Sequence, residues 1–254
     1  MSEIAERPRF QDEPMFAGLP QSVRERIIEW ARSLEIALGD DLVAIMLTGG
    51  VARGDYRPGE STVNAIVVLR EATFAQLDAI SSAMQAVRYG ARLTADILTE
   101  AELPGSAEAF PLLFDEIRRW HITLVGRDPF IGARVLDTHR RVRIEQELRE
   151  AQIGLRRAVT DALGAKEAIA GSVARRTHQV RRAIYALLEL KKVPCKSDLA
   201  SVLDCAGQLY GVDIAALANP REAPEAAHAT LTALLAAAID DVDALSTGPR
   251  SLRA

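Results

Sequence analysis

An α+β architecture is what this sequence predicts: a mixed sheet with flanking helices, followed by an all-α helical bundle. Three observations carry the prediction. Short apolar runs rich in branched residues, LVAIMLT at 42–48, VNAIVVL from Val63 and RLTADILT from Arg92, read as strands and alternate with helical stretches. From Val135 onward, turn signals separate segments that all read as helix. Between the two regimes Gly126, Pro129 and Gly132 cluster in GRDPFIGAR, a composition suited to a domain boundary.

The elements follow in chain order. Residues 1–18 read as a polar N-terminal tail broken by prolines. QSVRERIIEWARSLEIALG then places Val23, Ile27, Trp30, Ala31, Leu34 and Leu38 on one helical stripe, and Gly39 supplies a stop. The first strand runs straight into the pair Gly49-Gly50; FAQLDAISSAMQAV from Phe74 is a helix between the second and third strands. The α/β part is assigned to residues 19–130 and the bundle to 135–247, with 248–254 as a C-terminal tail. Within the bundle the helical segments are 135–163, 166–191, 197–210 and 224–245, broken by Gly164, Pro194, Gly211 and NPREAP. Short loops between four helices imply antiparallel packing, each helix burying one stripe.

Composition narrows the function classes. The 254 residues are 48% hydrophobic and 26% charged, with a formal net charge of -4, the proportions of a soluble globular protein. An acidic balance argues against general nucleic-acid binding. No apolar run approaches the roughly 20 residues of a membrane-spanning helix, and MSEIAERPRFQDEPMF lacks the apolar core of a secretory signal. Cys195 and Cys205 have no CxxC spacing. The expectation is a cytoplasmic protein with reduced thiols, no membrane partner and no nucleic-acid partner.

A glycine pair between a buried strand and a short helix permits a tight turn whose N–H groups point outward, where phosphate can sit. Arg53 lies one turn further on, and Ser61 and a second apolar strand follow. The whole stretch, TGGVARGDYRPGESTVNAIVVL, resembles the signature of the polymerase-β-like nucleotidyltransferase superfamily. There a Gly-Gly or Gly-Ser turn and an Arg-Gly pair precede a Pro-x-x-Ser segment, and an Asp-apolar-Asp pair opens a hydrophobic strand. Gly49, Gly50, Arg53, Gly54, Pro58, Ser61 and the run Ile66 to Leu69 match in order and spacing.

The resemblance covers about residues 20–130 and implies a nucleotide- or phosphate-binding side made by Gly49, Gly50, Arg53 and Ser61. It implies a third catalytic acid on a neighbouring strand, where RLTADILT offers Asp96. The departure is at the acid pair itself, which is Thr62 and Asn64. Alternate strand residues point to one face, so these two keep the geometry and lose the charge. Members of the superfamily hold two divalent cations with their acids, and Mg²⁺ is usually held by carboxylates. Without them no metal site is assigned, and Mg²⁺ with a nucleoside triphosphate enters only if other acids substitute. Asp55 in the turn segment, and Glu60 if the second strand began early, are the candidates.

The bundle helices are rich in arginine, but Glu145, Glu147, Glu150 and Asp161 are interspersed, the pattern of a salt-bridged helical surface. A bundle after such a domain is similar to the arrangement in aminoglycoside-type adenylyltransferases and in proteins with a HEPN-type bundle. Ribonucleases of the latter kind use an Arg and a His a few residues apart; Arg134 with His139 and Arg221 with His228 match that spacing, which arginine-rich chains produce by accident. His121 in RRWHITLVG reads as a packed or surface residue.

Three readings stay open on this basis. The first is a catalytically impaired pseudoenzyme that binds a nucleotide or phosphate ligand, or a protein partner, in a regulatory role. The second is an active metal-dependent enzyme, using Asp96, that transfers a nucleoside monophosphate to a small molecule or a protein. The third is a toxin-antitoxin-like module acting on a protein partner through the helical bundle.

Overall fold

In the computed structural model, Phe16 and residues 18–131 and 135–245 are described. The chain divides into two compact units, Met1–Ala109 with Phe114–Arg134, and Phe110–Leu113 with Val135–Ala254. The first unit holds α1 (Gln21–Leu38), β1 (Leu42–Thr48), α2 (Gly49–Arg53), β2 (Val63–Leu69), α3 (Phe74–Ala91), β3 (Leu93–Thr99), α4 (Leu103–Ala109), most of α5 (Pro111–Arg119) and β4 (Ile122–Gly126). The four strands form one sheet in the order β3-β2-β1-β4. β1 pairs antiparallel with β2 and β4, whereas β2 and β3 run parallel, so the sheet is mixed. A parallel pair needs a long crossover, and α3 supplies it.

One sheet face carries Ile45 and Leu47 of β1, Val63 and Val67 of β2 and Leu93 of β3, which form a single core with Ile27 and Leu34 of α1 and Ile80 and Val87 of α3. α1 forms because its apolar residues recur at helical spacing, and Gly39 (φ 52°) ends it. α3 starts at a capping box: Gln76 N–H donates to the Thr73 hydroxyl while the Gln76 side chain accepts from Thr73 N–H. Phe16, placed in the tail by sequence, is fully buried in this core.

Three elements of the first unit lie outside the sequence expectation: β4, α4 and α5. ITLVG is five residues long and its apolar content is shared with any short loop, so β4 carries no usable periodicity.

The second unit is helical: α6 (Asp137–Asp161), α7 (Lys166–Leu190), α8 (Leu199–Tyr210), α9 (Ala215–Ala218) and α10 (Pro224–Ala244). Ile144, Leu148, Ala151 and Leu155 of α6 share a core with Val173, Val180, Ile184 and Leu187 of α7 and Leu231, Leu235 and Val242 of α10. α6 and α7 form a hairpin whose turn contains Leu163 in the left-handed region (φ 46°), 94% exposed. A leucine gains nothing there by burial, and the conformation costs about 1 kcal/mol that glycine avoids. Leu163→Gly is therefore expected to stabilise the second unit by about 1 kcal/mol, read as a raised midpoint in calorimetric unfolding.

No helix among the described residues is long and apolar enough to cross a membrane.

Candidate functional site

The glycine turn lies where β1 gives way to α2. Gly49 has φ +66°, a conformation that favours glycine, and a Cβ on it would stand 2.8 Å from Asn64 Nδ2. Thr48, the last residue of β1, pairs with Asn64, which in turn pairs with Thr94 of β3. One step further along the same face, Met46 pairs with Ile66 and Ile66 with Asp96. Thr62, Asn64, Thr94 and Asp96 are exposed, whereas Ile66 is buried. This face is thus open at the start of β2 and closed deeper along it. Thr62 and Asn64 make no hydrogen bond to another side chain among the described residues, nor does Asp96.

The phosphate-side candidates are placed around this mouth, but two of them are engaged within the fold. Arg53 Nε and one terminal nitrogen donate to the two Asp55 carboxylate oxygens at 3.2 Å each. Its other terminal nitrogen pairs with Glu116 of α5. All three guanidinium nitrogens are occupied, and the side chain is 12% exposed beside a Glu116 that is 6% exposed. Asp55 also lies against the turn: a Cβ on Gly50 would be 2.8 Å from Asp55 Oδ1. Ser61 closes the 57–61 turn, its hydroxyl accepting from Arg57 N–H at 3.0 Å and its own N–H donating to Arg57 O at 2.9 Å. The resemblance implies ligand contacts at Arg53 and Ser61; within the fold both also make the contacts that tie the turn.

The substitute acids do not assemble. β2 begins at Val63, so Glu60 is in the preceding turn, not on the strand, where it pairs with the equally exposed Arg57 at 3.8 Å. Asp55 is committed to Arg53. Among the described residues no three of His, Cys, Asp and Glu are grouped so as to hold a metal ion. One carboxylate beside a hydroxyl and an amide is a poor fit for a divalent cation that favours several charged oxygens.

The remaining sequence candidates are dispersed. His121 is held between Ile117 O, 2.8 Å from Nδ1, and Asp128, 3.4 Å from Nε2, which makes it a tie between α5 and the segment after β4. Arg134, like Gly132, lies outside the described residues, so its pairing with His139 is not seen. Pro224 is the first residue of α10, not a break: His228 sits inside that helix, and Arg221 is exposed in the turn before it. Two of the four interspersed acids of α6 pair at helical spacing, Glu145 with Arg141 at 3.3 Å and with Arg149 at 2.8 Å, and Glu147 with Arg143 at 2.9 Å, whereas Glu150 and Asp161 form no ion pair among the described residues. Cys195 and Cys205 are unpaired, half-buried thiols, and burial pushes Cys195 up to about 12.

Sequence reasoning missed Glu116. It sits 63 residues from Arg53, and no local pattern ties the two together.

No family model matches this chain, and no curated protein matches it. Among solved structures it is similar to spectinomycin adenyltransferase AAD(9) from Enterococcus faecialis, determined with ATP and spectinomycin. The identity is 11% and the TM-score 0.46, over 87% of this chain and 99% of that one. The overlap is too loose to carry any residue of that enzyme onto this one.

Proposed function

We propose that this is a nucleotidyltransferase-like protein that has lost metal-dependent transfer and acts by binding, in a regulatory role, a nucleotide or phosphate ligand or a protein partner. The observation that carries this reading is the open face at the start of β2. The resemblance matches the superfamily's three acid positions to Thr62, Asn64 and Asp96, all exposed here, which leaves a single carboxylate among them. At an effective dielectric of 20, a unit charge 4 Å away contributes about 4 kcal/mol of attraction. Two missing carboxylates would then cost on the order of a millionfold in cation occupancy or rate. A hydroxyl and an amide restore none of that charge, and Asp55 and Glu60 are occupied elsewhere. The Asp55 carboxylate beside Gly50 also opposes an anion at the turn, which favours a protein partner over a triphosphate.

The test is a metal and nucleotide screen of the wild type beside Thr62→Asp/Asn64→Asp. Both positions are exposed and Asn64→Asp is isosteric, so the variant is expected to fold, as its circular dichroism would show. Mn²⁺ affinity is expected to rise by at least about a hundredfold in the double variant, with no metal-dependent nucleotide binding in the wild type. Nucleotidyl transfer by the wild type above background with Mg²⁺ or Mn²⁺, abolished in Asp96→Ala, would overturn the proposal.

A further inference from the structure

The second unit has a cleft of about 230 Å³ where α6 meets α7 near their connecting turn, lined by Gly154, Arg157, Ala158, Asp161, Ala162, Ala168, Ser172, Arg175 and Arg176. Its charge balance is unlike that of the rest of the hairpin. Nearer the start of α6, Arg140, Arg141, Arg143 and Arg149 each have a carboxylate partner. Around the cleft three arginines stand with one acid, Asp161, and among the described residues none of the four forms an ion pair. Arg157 and Arg175 are exposed and make no side-chain hydrogen bond; Arg176 donates only to Gln179, at 2.6 Å.

The third arginine is placed by a glycine. A Cβ on Gly154 would stand 2.6 Å from Arg176 Cζ and Nη2, so the guanidinium occupies space that a side chain at 154 would enter. Gly154, Arg157, Ala158 and Asp161 are spaced along one face of α6, and Ala168, Ser172, Arg175 and Arg176 along the facing side of α7. Of the lining residues Ala162 and Ser172 are buried, whereas Arg157 and Arg175 are exposed.

We propose that this cleft is a binding site for a small phosphate monoester. Three guanidinium groups against one carboxylate leave an excess of two positive charges, the complement of a phosphate dianion, and guanidinium planes suit phosphate oxygens. The volume is below the roughly 300–1,000 Å³ of pockets for drug-sized ligands, which fits a phosphate carrying a small organic group. The small side chains of Ala158, Ala162 and Ser172 leave room for that group. A nucleic-acid backbone would call for a longer basic track, and the acids paired along α6 interrupt one.

The test is calorimetric titration of the full chain at low ionic strength with inorganic phosphate and with ribose 5-phosphate. Saturable binding is expected, tighter for the ester. It should weaken by at least about tenfold in Arg157→Ala and in Arg175→Ala, each removing a charge-assisted contact. Gly154→Ala is expected to weaken it as well, because the methyl takes the place of the Arg176 guanidinium. Arg88→Ala, an equal charge change on an exposed residue of α3, is expected to leave it unchanged. Absence of saturable binding overturns the proposal, as does equal weakening in Arg88→Ala, or binding that survives in both Arg157→Ala and Arg175→Ala. Tighter binding of a single-stranded RNA oligomer, lost in the same two variants, would replace it with a nucleic-acid site. Phosphate held at the glycine turn of the first unit would be indifferent to all of these substitutions.

Discussion

Arg53→Met is expected to lower the stability of the first unit by about 3 kcal/mol, near the low end of the range for removing one partner of a buried ion pair. The substitution keeps much of the apolar stem and removes the charge. It strips Glu116, 6% exposed, of its guanidinium, and costs less at Asp55, which is 31% exposed and can be hydrated. Both tryptophans of the chain, Trp30 and Trp120, belong to the first unit, so fluorescence-monitored urea unfolding reports that unit alone. A midpoint unchanged in Arg53→Met, together with a loss of nucleotide binding, would return Arg53 to the role of ligand contact and sink the structural assignment.

Gly126→Ala is expected to cost the same unit about 3 kcal/mol or more, because backbone strain and steric overlap add. Gly126 has φ +78°, and a Cβ there would stand 1.9 Å from Val43 O and 3.1 Å from Ala44 Cα, both backbone atoms of the central strand. Relief would require β4 to pull away from β1. Gly59→Ala separates the two contributions: its φ is +83° with nothing within 4 Å, so it should cost only about 1 kcal/mol. Equal midpoints for the two variants, in the same fluorescence assay, would show that the close approach at Gly126 carries no energy.

The sequence made the strands β1 and β2 legible because each is a seven-residue, mostly apolar run, β3 because LTADILT is short and rich in β-branched residues, and α1 because its stripe is regular. It also made legible that Thr62 and Asn64 keep one face, since strand alternation requires it; the relation of that face to Asp96 comes only from the pairing of β2 with β3. β4 and α5 were not legible: HITLVG is short, and PLLFDEIRR mixes apolar and charged residues in a span too brief for a firm period. One of those unread elements also supplies a partner to Arg53. A guanidinium after a glycine turn reads as a phosphate ligand, and its ion-pair partner within the fold, Glu116, comes from α5. The occupancy of the site's cation was therefore hidden for the same reason as the helix that occupies it.

The sheet order β3-β2-β1-β4 has a consequence for synthesis of the chain. Of the four strands β1 is made first and is one of the two inner ones in the finished sheet, yet the neighbour on one of its sides, β4, is made last. Until residue 126 has left the ribosome, the backbone donors and acceptors along that side of Ala44, Ile45, Met46 and Leu47 lack their partners. An apolar strand with an open edge is a template for another nascent copy. The interval between translating β2 and β4 is accordingly when this protein is most exposed to intermolecular strand pairing, and slowing elongation there should lower its soluble yield.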